Sequence, residues 1–266
     1  MYEGKQVDAI VDVWCEAPVQ RLWKEFADSA LTEEDRRTKW GGLEYWCASI
    51  SFGQLDSRRD MNALDRHNAK EYTDDTEREV LEATAHPRCV GWGEMGLDYH
   101  YDNSPREIQR DVFARQLRHA RILKGIVPKD YRIHIHCLTD TPEFAQCLLS
   151  HFPNLYIGIT GVITFTTNLN TAQVICQMNP QPSTPSDFQI LPETDAPYMV
   201  PANIYASLTS LSGNRLPLSH SAMIPWTTDF VSGVLKEKER ETDGDGWDSK
   251  KVLEVGRENA RKVYGM

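Results

Sequence analysis

From Trp92 to Asp195 the chain alternates four short apolar runs with three amphipathic stretches, and few folds accept that order. The first run, Val90–Leu97, reads as a strand whose glycines allow close packing and whose Glu94 emerges at the C-terminal end. Ser104–Leu123 reads as a helix. Ser104 caps it, Pro105 takes the first helical position, and Ile108, Val112, Phe113, Leu117 and Ala120 make its buried stripe. Tyr131–Cys137 alternates as a strand, and Thr141–Phe152 is an amphipathic helix opened by Thr141-Pro142. Leu155–Ile163 is apolar almost throughout, as a strand buried on both faces must be. Helix Asn170–Met178 and strand Gln189–Leu191 complete the series. Strand, helix and strand in succession form parallel βα units. A doubly wound sheet and a barrel both satisfy them.

The flanking segments are less regular. Val7–Val13 is a short strand or a buried helix end, and Val19–Lys39 is helix-like, with Trp23, Phe26 and Ala30 at helical spacing and Thr32 placed to start a helix. Cys47–Asn68 sustains neither period and is predicted as a loop. Glu71–His86 is predicted as a helix capped by Thr73, with Val80, Leu81 and Ala85 facing inward and Pro87 ending it. Asp248–Tyr264 is a closing helix, while Pro180–Asp187 and Glu237–Trp247 look like surface insertions.

Composition narrows the function classes. A net charge of −10 argues against a broad basic face that grips nucleic acid by releasing counterions. It does not exclude a nuclease, because divalent cations supply positive charge locally. The six cysteines form no C-x-x-C pair and are expected to be reduced core residues. The N-terminal residues carry charges and no apolar run, and no stretch reaches the ~18 apolar residues of a membrane span. The expected location is the cytoplasm or the nucleus, with no membrane association and no obligate protein partner.

Chemistry concentrates at the ends of the predicted strands. Glu94, the pair His134 and His136, and Asp195 each follow an apolar run. In a parallel barrel the strand C-termini form the active face, and carboxylates with imidazoles there suit divalent metals in a hydrolytic site. His134 and His136, two apart in a strand, point to one face, so either both chelate or one lines the site while the other fills the wall.

Four ordered blocks carry a resemblance: GEMGLDYHYDNSPREIQRDVFARQLRHA, HCLTDTPEFAQCLLSHFPNLYIGITG, LPETDAPYMVP and ENARKVYG. They resemble the TatD family of metal-dependent hydrolases, and details such as LPLSHSAMIPW are similar to its fungal branch. The resemblance implies a TIM-type (β/α) barrel of the metallo-dependent hydrolase kind, in one domain over residues 1–266. Residues 1–70 are divergent and 71–266 carry the likeness. It further implies that Glu94, His136 and Asp195 bind metal, with Glu94 and Asp195 catalytic and Asp195 handling the proton of the attacking water. Asp98 would support the site from its loop, Glu193 would hold a ligand in place, and Arg106 and Arg110 could meet phosphate. The implied cofactor is a divalent ion, Mg2+ first, with Mn2+ or Zn2+ as alternatives, and the implied substrate is DNA or another phosphodiester.

The departures are as specific. The family opens with a strand ending H-x-H, whereas the first strand here offers Asp12 and Glu16. A strand ending H-x-R is expected between Leu117 and His134 and is not found; His67 retains only the end of another family run. The chain therefore reads as a shortened product of such a gene, an incomplete barrel with weakened metal binding. Beside a deoxyribonuclease, two other readings stay open: an impaired barrel serving as an interaction protein, and an amidohydrolase acting on C–N bonds. His220 is given no role.

Overall fold

The computed structural model describes residues 7–14, 21–49, 69–97, 99, 103–120, 129–178, 180, 184–211, 213–239 and 246–266. They fall into two units, Met1–Val127 and Pro128–Met266, each with its own three-stranded sheet.

In the first unit, β1 (Ala9–Trp14), β2 (Glu44–Ser49) and β3 (Cys89–Trp92) pair in parallel in that order, with Asp12, Cys47 and Cys89 in register. The start of the predicted loop is thus the second half of β2. Tyr45 and Cys47 point to the core, but so short a period of two is lost when the run is read together with the irregular sequence after Ser49. Residues 50–68 lie outside the described residues. The helix-like stretch divides into α1 (Arg21–Asp28) and α2 (Glu33–Lys39), because Thr32 Oγ1 accepts from the Asp35 amide and starts a second helix. Ala27 and Ala30, both fully buried, seat this corner against Tyr45, on whose ring Trp40 stacks at 4.5 Å. Glu44 takes Arg36 and Arg88 at 2.7 Å each, and Arg88 lies over the Trp46 ring.

Helix α3 (Asp74–Thr84) begins as predicted, with Thr73 Oγ1 accepting from the Thr76 amide. Its inward face is Thr76, Val80 and Ala83, whereas Leu81 and Ala85 are exposed, contrary to expectation. Those two sit roughly 100° around the helix from Val80 and Thr84 and miss the face laid on β2 and β3. Helix α4 spans Arg106–His119 and buries Val112 with two glutamines, Gln109 and Gln116. Ser104 does not cap it. The hydroxyl, 1% exposed, accepts instead from the Lys70 amide, and the Ser104 carbonyl accepts from Gln109 Nε2.

The second unit has the predicted alternation: β4 (Ile133–Ile135), α5 (Pro142–His151), β5 (Leu155–Ile159), α6 (Asn170–Met178) and β6 (Ile190–Pro192). The strands pair in parallel, with β5 in the centre and wholly buried. That strand ends four residues earlier than expected. Thr160 Oγ1 accepts from the Val162 amide and turns Gly161–Thr164 into a 3₁₀ helix. Gly161 fits there because a Cβ would lie 2.1 Å from the Met199 carbonyl. Past β6 come the short α7 (Ile204–Ser207), then α8 (Ile224–Glu239) and α9 (Ser249–Tyr264), the last capped by Asp248 and ended by left-handed Gly265. The core joins Leu155, Ile157, Ile159, Ile175, Phe188, Val231 and Trp247. The five described cysteines are free thiols, but Cys147 is exposed, so it is a helix-surface residue and not a core one. No helix among the described residues is long and apolar enough to cross a membrane.

Candidate active site

β4 delivers two imidazoles to one place, as the spacing of two requires. His134 is in the strand and His136 just past its end, and both reach the same carboxylate. That carboxylate is Glu193, one residue beyond β6. His136 Nδ1 lies 3.0 Å from Glu193 Oε1, and His134 Nε2 lies 3.1 Å from Oε2. The His134 N–H is off the line to that oxygen, so the buried nitrogen has the carboxylate in reach without a straight hydrogen bond. On its other side, His134 Nδ1 is 2.7 Å from the Tyr264 hydroxyl. The Cys137 amide donates to Glu193 Oε1 at 2.7 Å, an approach made possible by the positive φ of 45° at Cys137.

Space for this carboxylate is made by β5. A Cβ on Gly158 would lie 2.3 Å from Glu193 Oε1 and 2.7 Å from His134 Nε2. Burial by itself would raise the Glu193 carboxyl; the neighbouring His134 and His136 outweigh it and hold the group well below the usual carboxylate range. Two imidazoles and one backbone amide thus converge on a single carboxylate.

Asp195 completes the group from a strained turn. Its φ is 49°, its carbonyl accepts from the Tyr198 amide at 2.8 Å, and the Ser219 amide donates to the Pro197 carbonyl at 2.8 Å. This aims Oδ1 at His136 Nε2, 3.4 Å away. With Nδ1 turned to Glu193, the His136 nitrogen that could ligate is the one facing Asp195. This is the carboxylate–histidine arrangement found behind metal ligands.

The pair fits a divalent ion as far as it goes. Two ligands each about 2.1 Å from one ion lie roughly 3.0 Å apart at a right angle and roughly 3.4 Å at the tetrahedral angle. One imidazole and one carboxylate suit Mg2+, Mn2+ or Zn2+ alike. No group of three or more His, Cys, Asp or Glu side chains among the described residues is gathered to hold an ion.

The other expected residues are spread more widely. Glu94 lies in the first unit, two residues beyond β3 and half-buried, next to Gly93 with its φ of 158°. Asp12 accepts from the Tyr45 hydroxyl at 3.1 Å, and burial pushes its carboxyl up. Arg106 packs its guanidinium over the Tyr99 ring, while Arg110 is exposed on α4. His220 Nδ1 accepts from the Ala222 amide and so caps a 3₁₀ turn, a structural task. Glu16, His67 and Asp98 lie outside the described residues. Sequence reasoning missed Gly158 and Tyr264. The first was hidden in an apolar strand, and the second was visible only as the end of the ENARKVYG block.

A family model described as TatD related DNase matches residues 63–128 and 120–265. The chain belongs to that family. The two matched stretches of this TatD-family chain meet at 120–128, where the H-x-R strand was expected and not found. The human 3'-5' RNA nuclease TATDN2 is 36% identical over 172 residues, which cover 57% of this chain and 22% of that protein. The uncharacterized metal-dependent hydrolase YabD of Bacillus subtilis is 31% identical over 142 residues, covering 46% and 52%. The 3'-5' ssDNA/RNA exonuclease TatD of Escherichia coli K12 is 29% identical over 174 residues, covering 58% and 64%. The TatD-family chain thus spans from about a fifth to about two thirds of these relatives' lengths. The crystal structure of an uncharacterized amidohydrolase from Saccharomyces cerevisiae superimposes with a TM-score of 0.64 at 14% identity, over 97% of this chain and 88% of that one. That likeness concerns fold alone, and with the family it bears out the TIM-barrel metallo-dependent hydrolase class.

Proposed function

We propose that this TatD-family chain is a divalent-metal-dependent hydrolase of phosphodiester bonds, acting on the ends of single-stranded DNA or RNA. The observation that carries the reading is the His136–Asp195 pair. An imidazole has Glu193 at Nδ1 and a carboxylate 3.4 Å from Nε2, an arrangement that supports a ligand pair over a packed core histidine. His136 Nε2 and Asp195 would hold the ion, Mg2+ in the cell. Glu94 is the third ligand that the family resemblance implies, and its part is tested by its own variant.

When bound, the ion supplies a Lewis acid and a water of lowered pKa. The chain's own residues do the rest. Asp195 takes the proton of the attacking water, on a backbone turn that the Tyr198 and Ser219 amides hold in place. Glu193 keeps His136 in the tautomer whose Nε2 lone pair faces Asp195. The acidic chain binds its substrate locally through the ion, in keeping with the net charge of −10. We place the enzyme in the cytoplasm or nucleus, where free thiols persist.

The test is titration of the purified full chain with Mn2+ and Mg2+ by calorimetry, beside cleavage of end-labelled single-stranded DNA and RNA. Metal-dependent removal of nucleotides is expected, with Asp195→Asn, His136→Gln and Glu94→Gln each losing at least 100-fold, on the order of ~3 kcal/mol of transition-state stabilisation. A chain that neither binds either ion nor cleaves either strand overturns the reading.

A further inference from the structure

The side chains around Glu193 form a chain that runs from the last turn of α9 to the candidate metal ligand. The Tyr264 hydroxyl is 2.7 Å from His134 Nδ1, and His134 Nε2 is 3.1 Å from Glu193 Oε2. Glu193 Oε1 in turn takes His136 Nδ1 at 3.0 Å and the Cys137 amide at 2.7 Å. Each link has one sensible direction. The Glu193 carboxyl oxygens accept, Oε1 from the Cys137 amide, so the two ring nitrogens beside them are the ones that carry hydrogen, His134 Nε2 off the straight line. His134 with its proton on Nε2 has a bare Nδ1, which accepts from the Tyr264 O–H. His136 with its proton on Nδ1 has a bare Nε2, the nitrogen that faces Asp195.

The protein holds both ends of this chain firmly. Asn259, 1% exposed, donates from Nδ2 to the Phe188 and Ile190 carbonyls at 2.7 and 2.9 Å, which fixes α9 along the start of β6. Gly256 lets α9 close on Pro192, whose Cδ would be 2.5 Å from an added Cβ. Arg132, two residues before His134, donates to the Lys262 carbonyl at 3.2 Å and lies against Gly265, where a Cβ would meet its Nη1 at 2.7 Å. The clasp sets the Tyr264 ring edge-on to His134, with centroids 6.1 Å apart.

We infer that Tyr264 and His134 are positioning residues for His136, acting through Glu193 to fix which of its nitrogens is offered to a metal. The inference rests on the proposed role of His136 as a ligand, but its first readout does not need the metal. In the 15N-labelled, metal-free full chain, long-range 15N–1H spectra report the histidine tautomers, with His136→Gln assigning the signal. The wild type should show His136 with Nδ1 protonated and Nε2 bare. His134→Leu, which removes the imidazole beside Glu193 Oε2, should give a mixture of tautomers at His136. His134→Gln, whose amide can donate and accept at the two nitrogen positions, should restore the wild-type signal. Tyr264→Phe removes one oxygen and should shift the same signal, so it decides the matter if His134→Leu fails to fold.

Mn2+ affinity, read from free-ion electron paramagnetic resonance, should fall about 10-fold in His134→Leu, the loss typical of a partner behind a ligand, and recover in His134→Gln. If Tyr264→Phe and His134→Leu leave both the tautomer and the affinity as in the wild type, the inference is wrong. If the tautomer responds but the wild type binds no Mn2+, the positioning of His136 by Tyr264 and His134 stands and the metal reading fails.

Discussion

Gly158→Ala is the smallest change that tests how the site is built. A single methyl would stand 2.3 Å from Glu193 Oε1, 2.7 Å from His134 Nε2 and 2.7 Å from the Ile135 carbonyl. The carbonyl cannot give way cheaply, because Ile135 is paired with Ile157 in the β4–β5 ladder and the Gly158 carbonyl itself accepts from the Leu138 amide at 3.2 Å. The carboxylate must therefore retreat by about 1 Å to reach ordinary contact. That takes Oε1 out of hydrogen-bond range of His136 and the Cys137 amide. Overpacking of this kind costs about 1–3 kcal/mol, which for a chain of this size lowers Tm by roughly 2–12 °C. Loss of the carboxylate behind His136 should weaken Mn2+ binding by about 10–100-fold. Thermal melts and metal titration of Gly158→Ala, Glu193→Ala and the double variant check the cause. Removing the carboxylate first makes room for the methyl, so the double variant should be more stable than the two single losses summed, by about 0.5–3 kcal/mol. Strict additivity, or a Gly158→Ala chain that melts and binds metal like the wild type, would refute the reasoning.

Three further outcomes are expected. Arg115 takes Glu77 from α3 at 2.6 Å, and Arg115 first, then His119, hold the Glu77 carboxyl below its ordinary 4.5. A depressed carboxyl stabilises the fold above its unfolded value and ceases to as pH falls through the folded one. The gap in Tm between wild type and Arg115→Leu, worth about 1 kcal/mol, should thus be full at pH 6 and close below about pH 4; a gap constant with pH contradicts this. Asn259→Leu removes the side-chain donor from two carbonyls, of which that of Phe188 keeps the Ile190 amide, and should cost about 1–3 kcal/mol in urea denaturation. Trp247→Ala empties a fully buried site and breaks the bond from Nε1 to the Pro180 carbonyl at 3.1 Å; a loss of about 3–5 kcal/mol is expected by the same measurement.

The sequence showed the second unit well because its signals are local. Thr141 and Asp248 cap the helices that were expected to begin at them, and β5 is buried along its whole length as an unbroken apolar run should be. Errors arose where tertiary packing overrides local pattern. Thr76, Gln109 and Gln116 are buried while Leu81 is exposed, since the face of a helix that turns inward is chosen by the sheet beneath it and not by its most apolar residue. Ser104 looked like a cap and instead serves the Lys70 amide 34 positions away. For the site, the strand-end rule pointed to Glu94, the pair His134 and His136, and Asp195, and the family blocks pointed to His136 within the pair and to Glu193. The Tyr264–His134 contact joins residues 130 positions apart, and no periodicity carries information across that distance.

That separation also sets an order of events during synthesis. Both histidines and Glu193 leave the ribosome well before Tyr264, and at 5–20 residues per second the interval from His134 is roughly 6–26 s. Through that interval a nascent chain holds His134, His136, Glu193 and Asp195 yet lacks the Tyr264 hydroxyl. If the relay acts as inferred, ion affinity of the growing polypeptide should rise about 10-fold once the last turn of α9 is made.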